Sequence, residues 1–149
     1  MPKDMIEPGE EPRPARDVWQ AMARGFAQRC PKCGRGALFH SYLKVNDTCG
    51  VCGEELHHQR ADDAPPYFTI MIVGHFVVGG LLSMEKAFVP PLWVHMIVWL
   101  PLTLLSSLWL LPRVKGALIG LQWALYMHGF DKDTAPDTMA EGYLRRETA

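Results

Sequence analysis

Between Tyr67 and Leu111 the chain holds one Lys and one Glu and no other Asp, Glu, Lys or Arg. Two apolar runs fill this interval. The first is "YFTIMIVGHFVVGGLLSM", Tyr67 to Met84, and the second is "LWVHMIVWLPLTLLSSLWLL", Leu92 to Leu111. At 1.5 Å per helical residue they extend about 27 and about 30 Å, enough to cross the hydrocarbon core of a bilayer. A helix on the surface of a soluble domain carries a polar stripe, and neither run has one. The predicted fold class is therefore a membrane α-helical hairpin. Its transmembrane helices occupy residues 67–84 and 92–111, joined by an external loop at 85–91. Trp93 and Trp109 fall near the ends of the second run, where interfacial aromatics sit.

Charge gives the expected orientation. Nine of the fifteen Lys and Arg precede the first run and five follow the second, starting at Arg113 and Lys115. The loop between them has only Lys86, beside Glu85. The positive-inside rule then predicts an inner-membrane, multi-pass protein with both termini cytoplasmic. The N-terminus shows no apolar run behind a basic start, so no cleavable signal peptide is expected. Cysteines ahead of the first run are expected in a reducing compartment, where paired C-x-x-C motifs favour metal over disulfides.

The remaining segments are short. Residues 1–16, with four Pro and four acidic residues, read as a disordered tail. Residues 17–28 space Val18, Met22 and Phe26 at i, i+4 and i+8 behind a capping Asp17. That pattern predicts a short amphipathic helix, lying on the membrane surface or packed on the cysteine module. Residues 57–66 form a polar linker whose double proline suits a helix start, with Asp63 or Ala64 at the cap. Residues 112–130 include "GALIGLQWALYMHGF", with Gln122, Tyr126 and His128 near one side. The expectation is an interfacial helix along the cytoplasmic face; an extension of the second span, kinked at Pro112, is the rival. Residues 131–149 read as a polar tail.

All four cysteines fall in residues 29–56, as C-x2-C-x15-C-x2-C: Cys30, Cys33, Cys49 and Cys52. This spacing fits a four-cysteine zinc ribbon. Two thiolates three residues apart in a tight turn face one ion, and two such turns complete a tetrahedron. Gly34 and Gly53 each follow the second Cys of a pair, where the backbone turns sharply. Iron in a rubredoxin-like site would use the same ligands. Four thiolates close the coordination shell, which suits a structural metal better than a catalytic one.

Other polar groups carry weaker readings. His75 and His95 lie inside the runs, where ionisable groups are functional candidates. Their depths differ by about 8–10 Å in an antiparallel hairpin, which disfavours a shared haem. Gly79 with Ser83, and Gly116 with Gly120 and Ala124, are small residues four apart. They serve closure within the chain or docking on another membrane protein. His57, His58, Asp62 and Asp63 form a candidate metal cluster, with capping and solvated linker residues the blander reading. Arg24, Arg29, Lys32 and Arg35 permit a nucleic-acid surface, but Glu54, Glu55, Asp62 and Asp63 oppose it nearby. No nucleic-acid partner is expected, and no catalytic constellation appears.

Cys30 to Gly36 ("CPKCGRG"), the second pair at Cys49 to Gly53, "ADDAPPYFTI" at Ala61 to Ile70 and the two apolar runs together resemble the bacterial domain-of-unknown-function 983 family. The resemblance covers roughly residues 24 to 130. In alphaproteobacteria, genes of that family often lie among those for cytochrome c oxidase subunits and assembly factors. The resemblance therefore implies a respiratory-complex connection by association. With no catalytic constellation, the expected function is a membrane-anchored zinc-ribbon interaction or assembly factor, not an enzyme, for an inner-membrane complex, the best single candidate being a terminal oxidase. A protein that senses or delivers metal through its thiolates is the alternative.

Overall fold

The computed structural model describes residues 14–58, 63–127 and 129–130. Most of the expected N-terminal tail, the tail at 131–149, Asp62 and His128 lie outside the described residues.

Five elements follow one another: α1 (Val18–Phe26), β1 (Phe39–Ser41), β2 (Lys44–Val45), α2 (Ala64–Phe88) and α3 (Leu92–Ala124). Asp17 caps α1 by accepting from the Gln20 N–H at 3.0 Å. Pro65 and Pro66 open α2, where a missing N–H costs nothing. Asp63 takes the cap position, but its side chain makes no capping bond.

Helices α2 and α3 pack side by side as an antiparallel hairpin, turning through Val89 to Pro91. Both are long and apolar enough to cross a membrane. Glu85 and His95 tie the turn end together through a 3.0 Å contact. Gly80 admits the ring of Trp99, which a Cβ there would strike. Gly74 and Gly79 meet nothing within 4 Å, so hairpin closure does not use them. The hydroxyls of Thr69, Ser83, Thr103 and Ser106 each donate to the carbonyl four residues back, at 2.6–2.9 Å. This is how Ser and Thr satisfy themselves on a helix without water.

α3 does not stop at the end of its apolar run. It continues through Pro112 to Ala124, so among the described residues of 112–130 no separate interfacial helix forms. The extension was the rival expectation, and its physical basis is specific. Pro112 has no N–H to give the Leu108 carbonyl four residues back, which alone would destabilise the turn. Tyr42, at the tip of the β1–β2 hairpin, supplies the missing donor: its hydroxyl bonds Leu108 O at 2.9 Å. Lys115 Nζ completes the attachment by donating to Leu43 O at 3.1 Å.

The extension is the spine of the N-terminal half. Val114, Gly116, Ile119, Gly120, Trp123 and Ala124 are buried along it. α1 crosses it antiparallel, small residue on small residue. A Cβ on Gly116 would strike the Gly25 carbonyl, and one on Gly120 the Ala21 carbonyl. Such pairs let backbones touch. The small residues at 116 and 120 therefore receive α1, and α1 lies against α3 and the cysteine module. Arg16 locks the far end. Its guanidinium donates to Trp123 O at 2.5 Å and stacks over Trp123 and Tyr126 at 4.1 and 3.8 Å.

The Tyr42–Leu108 bond yields a double-mutant prediction. Tyr42→Phe leaves the Leu108 carbonyl without a donor and is expected to destabilise the docked module by about 1 kcal/mol. In a Pro112→Ala background the helix makes its own bond, and Tyr42→Phe is expected to cost much less. Thermal unfolding in detergent reads both; equal costs in the two backgrounds would remove proline compensation as the explanation.

Candidate metal centre

The two cysteine pairs sit in matching turns. In the first, the Gly34 N–H donates to Cys30 O at 2.8 Å and the Cys30 N–H to Gly36 O at 2.8 Å. In the second, the Gly53 N–H donates to Cys49 O at 2.9 Å and the Cys49 N–H to Glu54 O at 2.8 Å. Gly34 and Gly53 take left-handed φ of 68° and 69°, which glycine adopts without penalty. Between the turns, β1 and β2 form a two-stranded antiparallel hairpin pairing Phe39 with Val45 and Ser41 with Lys44.

These turns bring all four sulfurs within 4.8 Å of one another. Cys30 and Cys52 Sγ lie 3.7 Å apart, and Cys33 and Cys49 Sγ 3.8 Å. A tetrahedron with metal–sulfur bonds of about 2.3 Å has edges of about 3.8 Å. A disulfide would need about 2.05 Å. The donor set thus fits a tetrahedral thiolate metal such as zinc. Gly36 is part of this geometry, because a Cβ there would occupy the place of Cys49 Sγ.

The surroundings treat the thiols unequally. Backbone N–H groups of Gly36 and Arg35 point at Cys33 and lower its pKa to about 6. Burial pushes the thiols of Cys30 and Cys52 up. Thiols held up in this way ionise readily only beside a cation, which is what a metal supplies.

Around the cluster, the module shares its core with α3. Leu38, Leu56, Cys30 and Cys49 are buried together with Ile119, Trp123 and Phe130. Arg24 of α1 bonds the first turn from outside, through Pro31 O at 3.1 Å and Lys32 O at 2.8 Å. Glu54 was not among the expected site residues, yet it is 7% exposed at the centre of the contact. It accepts from Trp123 Nε1 at 2.8 Å and from Lys32 Nζ at 2.9 Å. Burial alone would raise its pKa, but the bonds from Lys32 and Trp123 outweigh it and hold the carboxyl below its usual range.

Other candidates separate. His75 Nδ1 lies 2.6 Å from Met71 O, whereas His95 faces Glu85; the structure does not bring the two histidines together. His57 and His58 come together with Glu55, not with Asp63. Arg24 and Lys32 are engaged in the module's own bonds.

A family model described as "Protein of unknown function (DUF983)" matches residues 39–123. The chain belongs to this family. The match takes in the hairpin, Cys49, Cys52, α2 and α3 to one residue short of its end, and begins after Cys30 and Cys33. It is narrower than the resemblance read from the motifs at both ends. No curated protein and no solved structure matches the chain.

The contact at Gly36 makes a sharp test in this family member. Gly36→Ala drives a methyl into the Cys49 sulfur and is expected to lower metal per chain well below wild type. Gly50→Ala, where a Cβ meets nothing within 4 Å, is expected to leave it unchanged. Elemental analysis of detergent-purified chain reads the difference, and equal metal in both variants would refute the steric account.

Proposed function

We propose that the protein is a membrane-anchored zinc-ribbon interaction or assembly factor, not an enzyme. In this reading α2 and α3 form a transmembrane hairpin in a bacterial inner membrane. Both termini are cytoplasmic, and zinc fills the four-cysteine site. The single observation that carries the proposal is the docking of the ribbon on the α3 extension. Tyr42, Lys115, Trp123 and Glu54 join the module to the same helix that forms half of the apolar hairpin. A surface that grips the ribbon therefore also positions the hairpin, as an assembly factor with two contact surfaces requires.

Burial supports the membrane placement. In the most apolar windows of α2 and α3, 11% and 0% of residues are buried, whereas a core helix of a soluble protein is mostly covered. Large apolar side chains such as Phe76, Leu82, Trp93 and Leu105 stand exposed on both helices. The back-bonded hydroxyls suit hydrocarbon surroundings. Arg113 and Lys115, just past the apolar run, suit the cytoplasmic edge. The closed thiolate shell leaves no position for a substrate, which supports a structural metal. The best candidate partner is a respiratory cytochrome c oxidase, on the gene association that the family resemblance implies.

One observation favours the alternative of a metal- or redox-responsive protein. Cys33 is only partly buried, and its depressed pKa makes it a thiolate near neutral pH. Exchange with a chelator separates the readings: a structural site is expected to keep its zinc over hours, and release within seconds would favour delivery.

Two measurements test the main proposal. An alkaline phosphatase fused after Val89 is expected to be active and one fused at the C-terminus inactive; the reverse pattern would overturn the orientation. Affinity purification from membranes in mild detergent is expected to recover zinc-loaded protein with oxidase subunits. Recovery of the chain alone, metal-free, would contradict both the assembly role and the zinc.

A further inference from the structure

The geometry points to a second metal site on this chain, built from Glu55, His57 and His58 and open to solution. The carboxylate and the two imidazoles each offer one ligand atom, and the three atoms lie within 4.8 Å of one another. Glu55 Oε2 and His58 Nε2 are 3.1 Å apart, and the rings of His57 and His58 have centroids 3.9 Å apart. Ligands on one ion at about 2.0–2.2 Å are separated by about 3.0–3.5 Å, so a small closing movement completes the site.

Local structure explains the convergence. The chain leaves the second cysteine turn extended, and its side chains alternate. Glu54 and Leu56 point inward and are buried, whereas Glu55 and His57 are exposed. Residues i and i+2 of an extended segment share a face, so Glu55 and His57 share the outer one. The segment is fixed by the Asp47 carbonyl, which accepts from the Leu56 N–H at 2.7 Å and the His57 N–H at 3.2 Å. The chain then turns at His57 and His58, which carries the second imidazole back towards Glu55. Phe130 meets the His58 ring edge-on at 6.1 Å, and Gly129, with φ of 94°, leaves room for that ring. Gly129 and Phe130, which follow α3 in the chain, thus fix one ligand of the three.

The donor set indicates the ion. Two imidazoles and one carboxylate suit zinc, cobalt, nickel or copper(II) rather than calcium, magnesium or copper(I). Three protein ligands leave at least one position for water, and two of the three residues are exposed. The site therefore differs in kind from the closed thiolate cluster a few residues upstream: it exchanges metal with solution. It does not depend on the placement of α2 and α3 in a membrane.

Cobalt(II) titration of the full chain in detergent, produced in zinc-depleted medium so that the thiolate site is free, tests this. The first equivalent is expected to give the intense thiolate-to-cobalt charge-transfer band of a four-cysteine site. The second is expected to bind with weak d–d absorption and no further charge transfer. In His57→Ala/His58→Ala the first equivalent should be unchanged, which shows an intact ribbon, and the second should be lost. Glu55→Gln should weaken the second and leave the first. Saturation of wild type at one equivalent, or an unaltered second equivalent in the double histidine variant, would overturn the assignment.

Discussion

A helix that runs on past its apolar segment has to cover the face it then exposes to water. α3 extends thirteen residues beyond Leu111, and the described residues 14–56 are assembled on that extension. Ile119 and Trp123 enter the ribbon core, while Gly116 and Gly120 receive α1. The ribbon in turn needs the helix. Leu38 and Leu56 are its main fully buried aliphatic side chains, too few to form a core alone. The face of α3 supplies part of what the module lacks, and a metal held by the four thiolates would supply the rest. This mutual dependence joins the ribbon and α3 through one shared core.

The cysteine cluster was legible because ligand spacing is a local property. C-x-x-C-G fixes a turn within five residues, and two such turns suffice. The start of the apolar hairpin and its turn were legible for a similar reason, since Pro65 and Pro66 open α2 and Pro90 and Pro91 lie in the turn. What did not show was anything settled by a distant partner. Pro112 reads as a helix terminator when its lost hydrogen bond is counted alone. The compensating donor, Tyr42, lies 66 residues before Leu108 and leaves no mark beside the proline. Gly116 and Gly120 announced a close helix approach but not which helix. Ala21 and Gly25 of α1 repeat the same spacing, and that matching pair was the available signal.

Glu54 shows the same limit in its sharpest form. In sequence it is one of two adjacent glutamates and reads as solvated charge. In the structure the two have opposite fates because an extended segment alternates. Glu54 turns inward to bond Lys32 and Trp123, and Glu55 turns outward towards His58. A buried carboxylate is tolerated only with its bonds made. Here they come from the first cysteine turn and from the helix. One side chain thus joins three parts of the chain that sequence reading treats separately. Loss of Glu54 leaves the buried Trp123 Nε1 without an acceptor, and loss of Trp123 or Lys32 takes the donor from one Glu54 oxygen.

The same alternation separates two kinds of metal chemistry within ten residues. Cys49 and Cys52 belong to a closed, partly buried tetrahedron whose geometry requires a glycine at 36. Glu55, His57 and His58 face the other way, with open positions and harder donors. A thiolate shell of the first kind is part of the fold, since its charge is stable in the interior only with a cation present. A shell of the second kind is filled or empty without consequence for the core, because two of its three members are exposed. In the reading proposed above, one site holds the fold together and the other exchanges metal with solution. Glu54 lies between Cys52 and Glu55 in the chain and contacts the helix directly, so the ribbon's seat on α3 separates the two ligand sets.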